Sequence, residues 1–495
     1  MIKRRVNVYH MPQNMPRRRV LGALAACVAL PFTGGGTRAT TPPDFEQKIA
    51  DRVRHLAGES APQLRILLPN GAGGNVWPVI QKFVDMTGVA VTVKETPVDD
   101  INTELLLDSF SQAKRFDVAL PATFGLPDLA SAGAILPITA FANIYEPAGF
   151  RDDILYGVGD KFDEEIYGFQ TDGDAYVMFY HKEWLQDETE QARYADRFGA
   201  PLSRPDTWGE LDQQMAFFNR PDDGMWGGLL FRTPAYVAWE WWARFHAKGV
   251  WPFSTDMEPQ IATDAGVEAL EDMVRASAHL CPDSTRLGLF ENWERFARGD
   301  VYCNIGWGGS QKYFNGSKSQ MRDNMVFGPL PGGQVDGQPL ATPYFNWGWN
   351  YVVTRNSPLP EISYLFALFA STPSMSTLAV RQTDGYFDPF RPEHYEDAGI
   401  QAAYSKAFLK VHRHSMENAI PDLYLQNQGE YFRALGDWVQ RALRQEVSPK
   451  VAMERAAMRW RLITNRSDKT KQKKRWAELR QKYPKNTRKL LKDIT

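Results

Sequence analysis

The sequence predicts an α/β chain of two lobes, each a mostly parallel sheet flanked by helices. Short apolar, β-branched runs alternate with helically spaced segments from residue 64 onward, the pattern of parallel strands covered on both faces. The alternation resumes after each interruption, which fits two sheets better than one. At 495 residues, 43% hydrophobic and 13% aromatic, the chain is long enough to bury more than one core.

After a polar leader over residues 40–62, the run Leu64-Arg65-Ile66-Leu67-Leu68-Pro69 reads as a buried strand, followed by a glycine-containing loop over 70–75. The spacing of Trp77, Ile80, Phe83 and Val84 predicts a helix over 76–87. A strand over 89–93, a helix over 101–114 and a strand over 116–120 come next. Ligands of such sheets gather beyond the carboxyl ends of the strands. That makes 70–77 and 121–125 candidate ligand loops, with Asn75, Trp77 and Thr123 as their polar or aromatic side chains. Thr207, followed three residues later by Glu210, is a helix N-cap signal. Residues 290–298 form an amphipathic pattern that Gly299-Asp300 turns into a strand over 301–305. A strand over 351–354 and a buried helix over 362–370 complete the series.

The formal net charge of −2 conceals an uneven distribution. Residues 466–495 carry 12 Lys/Arg against 3 Asp/Glu, and residues 1–43 carry 7 Lys/Arg and no acid. The body between them keeps 38 basic and 56 acidic residues, a net −18 that speaks against a nucleic-acid-binding surface there. Residues 1–39 read as an export signal peptide: Arg17-Arg18-Arg19, an apolar run from Val20 to Phe32, then small residues. The paired arginines resemble a twin-arginine signal, with Pro16 where Ser or Thr is usual. Leu24-Ala25-Ala26-Cys27 offers a lipid anchor at Cys27 as the lesser alternative. Beyond the signal only Cys281 and Cys303 remain, too few for a disulfide framework; they are expected as buried thiols or one optional disulfide. No other apolar run approaches the roughly eighteen residues of a membrane span.

The order of landmarks resembles a family, the extracellular solute-binding proteins that include maltose-binding protein. The opening strand, glycine loop and helix lead into Phe83-Val84-Asp85-Met86-Thr87-Gly88-Val89, similar to the family's Phe-x-x-x-Thr-Gly-hydrophobic turn. Further landmarks follow in order: Phe116-Asp117-Val118, Ala132 to Ile138, Tyr167-Gly168-Phe169 leading to Tyr180, Pro205 to Leu211, Phe290 to Gly306, and Val326 to Gly332. The resemblance implies a two-lobed periplasmic binding protein with its ligand cleft between the lobes. It implies a first lobe over 63–172 and 340–386, a second over 173–330 and 387–465, and a basic C-terminal tail over 466–495. It further implies a monomer that hands a mono- or oligosaccharide to the permease of an ABC importer, without catalysis, cofactor or metal.

A sugar presents flat apolar faces and a rim of hydroxyls, so its site needs aromatic platforms beside carboxylates, amides or Arg. Three clusters supply that mixture. Tyr236 and Trp239 would share one face if Pro234 opens a helix, while Trp241 and Phe245 face the core; Tyr236 falls where the family places a stacking tyrosine. Trp307 ends a strand before Gly308-Gly309 and resembles the family's ligand-stacking tryptophan. Trp347 and Trp349 flank Gly348, and strand alternation would turn one of them inward. Asp172 and Asp174 lie on an expected lobe crossing, and Arg391 at another resembles the family's Pro-x-Arg element. Tyr424 falls at its late aromatic element.

Competing readings have weaker support. Asp172 with Asp174, or Glu164 with Glu165, could be a glycosidase acid pair, but such carboxyls face each other roughly 5 to 10 Å apart across a bond. His412 and His414 read as a helical surface pair. A polyamine ligand on the same fold would use the same carboxylates and aromatics. The basic tail suggests either docking on anionic lipid or importer, or a solvated flexible end.

Overall fold

The computed structural model describes residue 42 and residues 44–494. The export signal, its twin arginines and Cys27 lie outside the described residues.

Two separate sheets form the framework. In the first, Gln63–Pro69 is parallel to Ala90–Thr96 on one side and to Val118–Ala119 on the other. Asn350–Val353 then joins antiparallel to Val118–Ala119, and Gly168–Gln170 closes the edge. Helices Gly73–Thr87 and Pro360–Ala370 pack together over it, with Phe83 edge-on to Phe366 at 5.1 Å. The leader is not loose chain. It contains the helix Phe45–Ala57, whose Phe45, Ile49 and Val53 are buried against those same two helices. Its apolar residues recur at four-residue intervals, which the overall polarity of the segment masked.

The second sheet is built on Ala175–His181, antiparallel to Cys303–Gly306, Met325–Pro329 and Tyr344–Phe345. Its parallel component is reduced to bridges, such as Trp226 with Val301 and Leu229 with Asn304. The reason is topological: Ala175–His181 enters directly from the first sheet and not through a crossover helix, so it need not run parallel to its neighbours. Thr207 and Glu210 make the expected reciprocal capping box at the helix Trp208–Phe218. Tyr344–Phe345 belongs to this second sheet, so the chain changes sheets after residue 345 and not at the expected residue 340.

The basic C-terminal segment is folded, not a flexible end. Helix Lys469–Lys482 buries Trp476 against Trp251 and Phe253, at 5.8 and 5.9 Å between ring centroids. Tyr483 lies 4.9 Å from Trp251, and its hydroxyl is 3.1 Å from His246 Nε2. The surplus positive charge meets the acidic body: Lys473 pairs with Asp256 at 2.7 Å, Lys474 with Glu164 at 2.6 Å and Arg475 with Asp163 at 2.5 Å. Cys281 and Cys303 are buried free thiols.

Candidate ligand-binding cleft

The chain passes between the sheets three times, at residues 171–174, at 346–349, and between helices Pro373–Val380 and Lys406–Glu417. Backbone amides on these crossings satisfy carboxylates on one another. The Asp388 amide donates to Asp172 Oδ1 at 2.6 Å, and the Gly348 amide to Asp174 Oδ2 at 3.1 Å. Asp388 in turn receives the Gly308 amide at 2.6 Å and the Tyr404 hydroxyl at 2.6 Å. His412 Nε2 donates to the Gly173 carbonyl at 2.7 Å while Nδ1 accepts from Tyr395 at 2.8 Å. This histidine is therefore buried and structural, not part of a surface pair, and burial lowers its pKa to about 4.

Where the crossings converge, a cavity of about 20 Å³ is lined by Asp174, Trp293, Trp307, Trp347, Trp349 and Tyr386, with Leu289 and Gly309. The rings are tightly set. Trp307 meets Trp347 edge-on at 5.6 Å, Trp347 lies 5.7 Å from Trp349, and Trp349 lies 6.2 Å from Tyr386. Trp307 is held by its Nε1, which donates to Asn346 Oδ1 at 3.0 Å. The close approach needs glycine: a Cβ at position 308 would sit 2.3 Å from Asp388 Oδ1, and one at 309 would sit 2.6 Å from the Tyr386 Cβ.

Both Trp347 and Trp349 line the cavity, not one of them as expected; two residues apart, they share a face of an extended chain. Gly348 between them has φ +69°, in the left-handed region that favours glycine. Tyr236 and Trp239 are packed behind the cavity wall. Tyr236 stacks on Trp347 at 5.8 Å, and Trp239 is edge-on to Trp347 at 5.1 Å. The helix there starts at Val237, after Tyr236.

Asp172 is fully buried and Asp174 is 7% exposed. Carboxylate oxygens of Asp172, Asp174 and Asp388 all lie within 4.8 Å of one another. Burial, then the neighbouring carboxylates, push Asp172 and Asp174 well above the usual range, and burial raises Asp388 to about 6. Lys312, lowered to about 8 by burial, is the cation bearing on this group.

Three expected site residues are placed elsewhere. Arg391 is fully buried, paired with Asp153 and donating to the Ser371 carbonyl at 2.9 Å, so it anchors the third crossing to the first lobe. Tyr424 is buried beside Tyr156 and Gly159. Trp77 is 37% exposed on the helix that follows the first strand and is not among the cavity-lining residues. Asn75 and Thr123 serve the backbone framework, Asn75 by accepting from the Phe387 amide at 3.1 Å and Thr123 by bonding to Asn350.

Sequence reasoning missed Trp293, Tyr386 and Asp388 as site residues. Tyr386 and Asp388 lie on a crossing it located, five and three residues before the Arg391 it favoured. Trp293 sits on the helix Leu289–Phe296, where an amphipathic pattern reads as core.

The fold is matched by relatives. Residues 79–407 match the family model of bacterial extracellular solute-binding proteins. A probable amino-acid ABC transporter periplasmic-binding protein of Sinorhizobium fredii is 24% identical over 378 residues, 73% of this chain and 78% of that one. The fold is shared with an Agrobacterium radiobacter K84 solute-binding protein in complex with ribitol (TM-score 0.68, 18% identity, 81% of this chain and 98% of that chain). It is shared equally with the maltose-bound MalE3 of T. maritima (TM-score 0.67, 16% identity, 81% and 99%). With two lobes, three crossings and a family match over about two thirds of its length, this chain belongs to the bacterial extracellular solute-binding proteins.

Proposed function

We propose that the chain is the substrate-binding component of an ABC importer, which captures a carbohydrate by hinge closure and presents it to a membrane permease. The observation that carries this reading is the cavity at the crossings, where four tryptophans and Tyr386 surround Asp174. Stacked indoles suit the apolar faces of a sugar ring, and a carboxylate suits its hydroxyls. Structural relatives bound to ribitol and to maltose support the same ligand class.

Trp307, Trp347, Trp349 and Asp174 would touch the ligand; Tyr236 and Trp239 would back them. Closure is favoured by contacts across the cleft. Phe124, after the third strand of the first sheet, lies 5.7 Å from Trp239 and 5.7 Å from Trp347. A ligand need only bind the closed form better than the open one to shift the population. The lobes would exchange at 171–174, 346–349 and 381–405. We further propose an exported, periplasmic monomer acting without cofactor or metal. Among the described residues no helix is long and apolar enough to cross a membrane.

A binding role suits the carboxylates better than hydrolysis. Those of Asp172, Asp174 and Asp388 converge on one another, whereas glycosidase carboxyls stand roughly 5 to 10 Å apart across the scissile bond.

The test is thermal unfolding of the protein against a panel of mono- and oligosaccharides and polyols. A ligand bound only by the folded state raises the midpoint, by about 2.7 kcal/mol in stability at a hundredfold excess over Kd. The expected result is a shift with one sugar class that disappears in Trp307→Ala. Turnover of a glycan without a stable complex would contradict the reading.

A further inference from the structure

We propose that the ligand carries a protonated amine, seated at Asp174 and Asp172 against the rings of Trp307, Trp347, Trp349 and Tyr386, so that the captured carbohydrate is an amino sugar. The inference rests on the carbohydrate reading above and narrows it.

Charge is the first ground. Three buried carboxylates share one small volume, and the cation beside them is committed elsewhere. Lys312 Nζ donates to the carbonyls of Val380, Gln382 and Phe387 at 3.1, 2.9 and 2.9 Å. It makes no ion pair with these acids among the described residues, so the site keeps a surplus of negative groups.

The second ground is unused hydrogen-bonding capacity. Asp172 Oδ2 is buried without a partner, and so are the indole Nε1 atoms of Trp347 and Trp349 and the hydroxyl of Tyr386. Such groups are costly to bury unless a ligand engages them. An acceptor oxygen on an acid calls for an N–H donor, and indole N–H groups call for hydroxyl oxygens. A ring bearing both an ammonium and hydroxyls meets both demands. Aromatic faces within about 6 Å attract the ammonium further.

A divalent metal fits the same acids poorly. Asp388 already accepts at both oxygens, Asp172 Oδ1 accepts from the Asp388 amide, and Asp174 Oδ2 accepts from the Gly348 amide. The oxygens left are far short of the six to eight that calcium takes, and four of the cavity-lining side chains are indoles.

Protonation is coupled to capture. The groups facing Asp172 and Asp174 are Asp388, Lys312, Tyr386 and Tyr404, with His412 behind Gly173. Without ligand, burial and the neighbouring carboxylates hold Asp172 and Asp174 above the usual carboxylate range. An arriving ammonium favours the charged form and opposes that rise, so binding weakens as pH falls.

The experiment is calorimetric titration of the wild-type protein with matched ligands of one to three rings: amino sugars, their N-acetylated forms and the parent neutral sugars, with spermidine and calcium alongside. The expected result is that, in the ring series that binds, the free amine binds at least tenfold tighter than both neutral counterparts. Its affinity should also weaken as pH falls. In Asp174→Asn the preference should fall towards one. Equal or tighter binding of the neutral sugars overturns the amine and leaves the carbohydrate reading standing. Binding of spermidine alone keeps the amine seat and overturns the carbohydrate reading. Calcium binding that excludes every sugar, or no binding by any probe at millimolar concentration, overturns the inference. The matched pairs on wild-type protein decide the matter even if the asparagine variant fails to fold.

Discussion

The Tyr236 hydroxyl donates to Asp99 Oδ1 at 3.4 Å, and the two residues belong to different lobes. Asp99 follows the strand Ala90–Thr96 of the first sheet, and Tyr236 caps a helix of the second. Burial raises the Asp99 carboxyl while this bond opposes the rise. Tyr236→Phe keeps the ring stacked on Phe231 and Trp347 and removes only the bridge. The expected outcome is a roughly 2- to 13-fold loss of ligand affinity, from a hydrogen bond worth about 0.5 to 1.5 kcal/mol. Calorimetric titration checks it. Unchanged affinity would mean that the bridge adds nothing to closure.

Gly348 tests the left-handed turn between the two tryptophans. At φ +69° a side chain is strained, and a Cβ there would lie 2.6 Å from the Phe345 ring and 2.8 Å from Thr123 Oγ1. Gly348→Ala is expected to lower stability by about 1 to 3 kcal/mol in urea unfolding and to abolish binding by displacing Trp347 and Trp349. An alanine tolerated in both measurements would contradict this account of the crossing.

Much of the framework was legible before the structure, because period and punctuation are local signals. Residues 64–69 became the strand Gln63–Pro69, and the signal at Thr207 and Glu210 became a closed capping box. Trp307 could be picked out because it stands at a strand end where glycines allow close approach to the backbone. What could not be read was set by long-range partners. Arg391 looks like a ligand contact until Asp153 and the Ser371 carbonyl claim it, and Asp388 gains its place only from the Gly308 amide and Tyr404. The C-terminal helix looked like a charged tail because its basic residues outnumber the few apolar ones that anchor it.

Those anchors make the next prediction. Trp476 is fully buried against Trp251 and Phe253, and its Nε1 donates to the Ser254 carbonyl at 3.1 Å. Trp476→Ala is expected to destabilise the protein by about 3 to 5 kcal/mol, the usual loss for a large buried aromatic. Deleting residues 469–494 should do at least as much. A deletion without effect on urea unfolding would mean that the segment does not belong to the core.

Asp422 supplies a pH test. Burial raises its carboxyl to about 7, and Oδ2 has no partner. The folded state therefore holds a proton that the unfolded chain, with a pKa of about 4, releases between pH 4 and 7. This contribution to stability is present at low pH and lost as pH rises through 7. Asp422→Asn removes the penalty and is expected to stabilise the protein by a few kcal/mol at pH 8, with the gain shrinking as pH falls towards 5. Thermal unfolding at both pH values checks it, and a gain that grows at acid pH would have the wrong sign.

The central claim is that the ligand lies among the aromatic side chains at the crossings between the lobes, and paired titrations of Trp349→Ala and Trp77→Ala test it most directly. With whichever sugar stabilises the wild-type protein, Trp349→Ala is expected to lose more than a hundredfold in affinity, and Trp77→Ala less than twofold. Full affinity in Trp349→Ala, or a loss confined to Trp77→Ala, would place the ligand elsewhere and contradict the account.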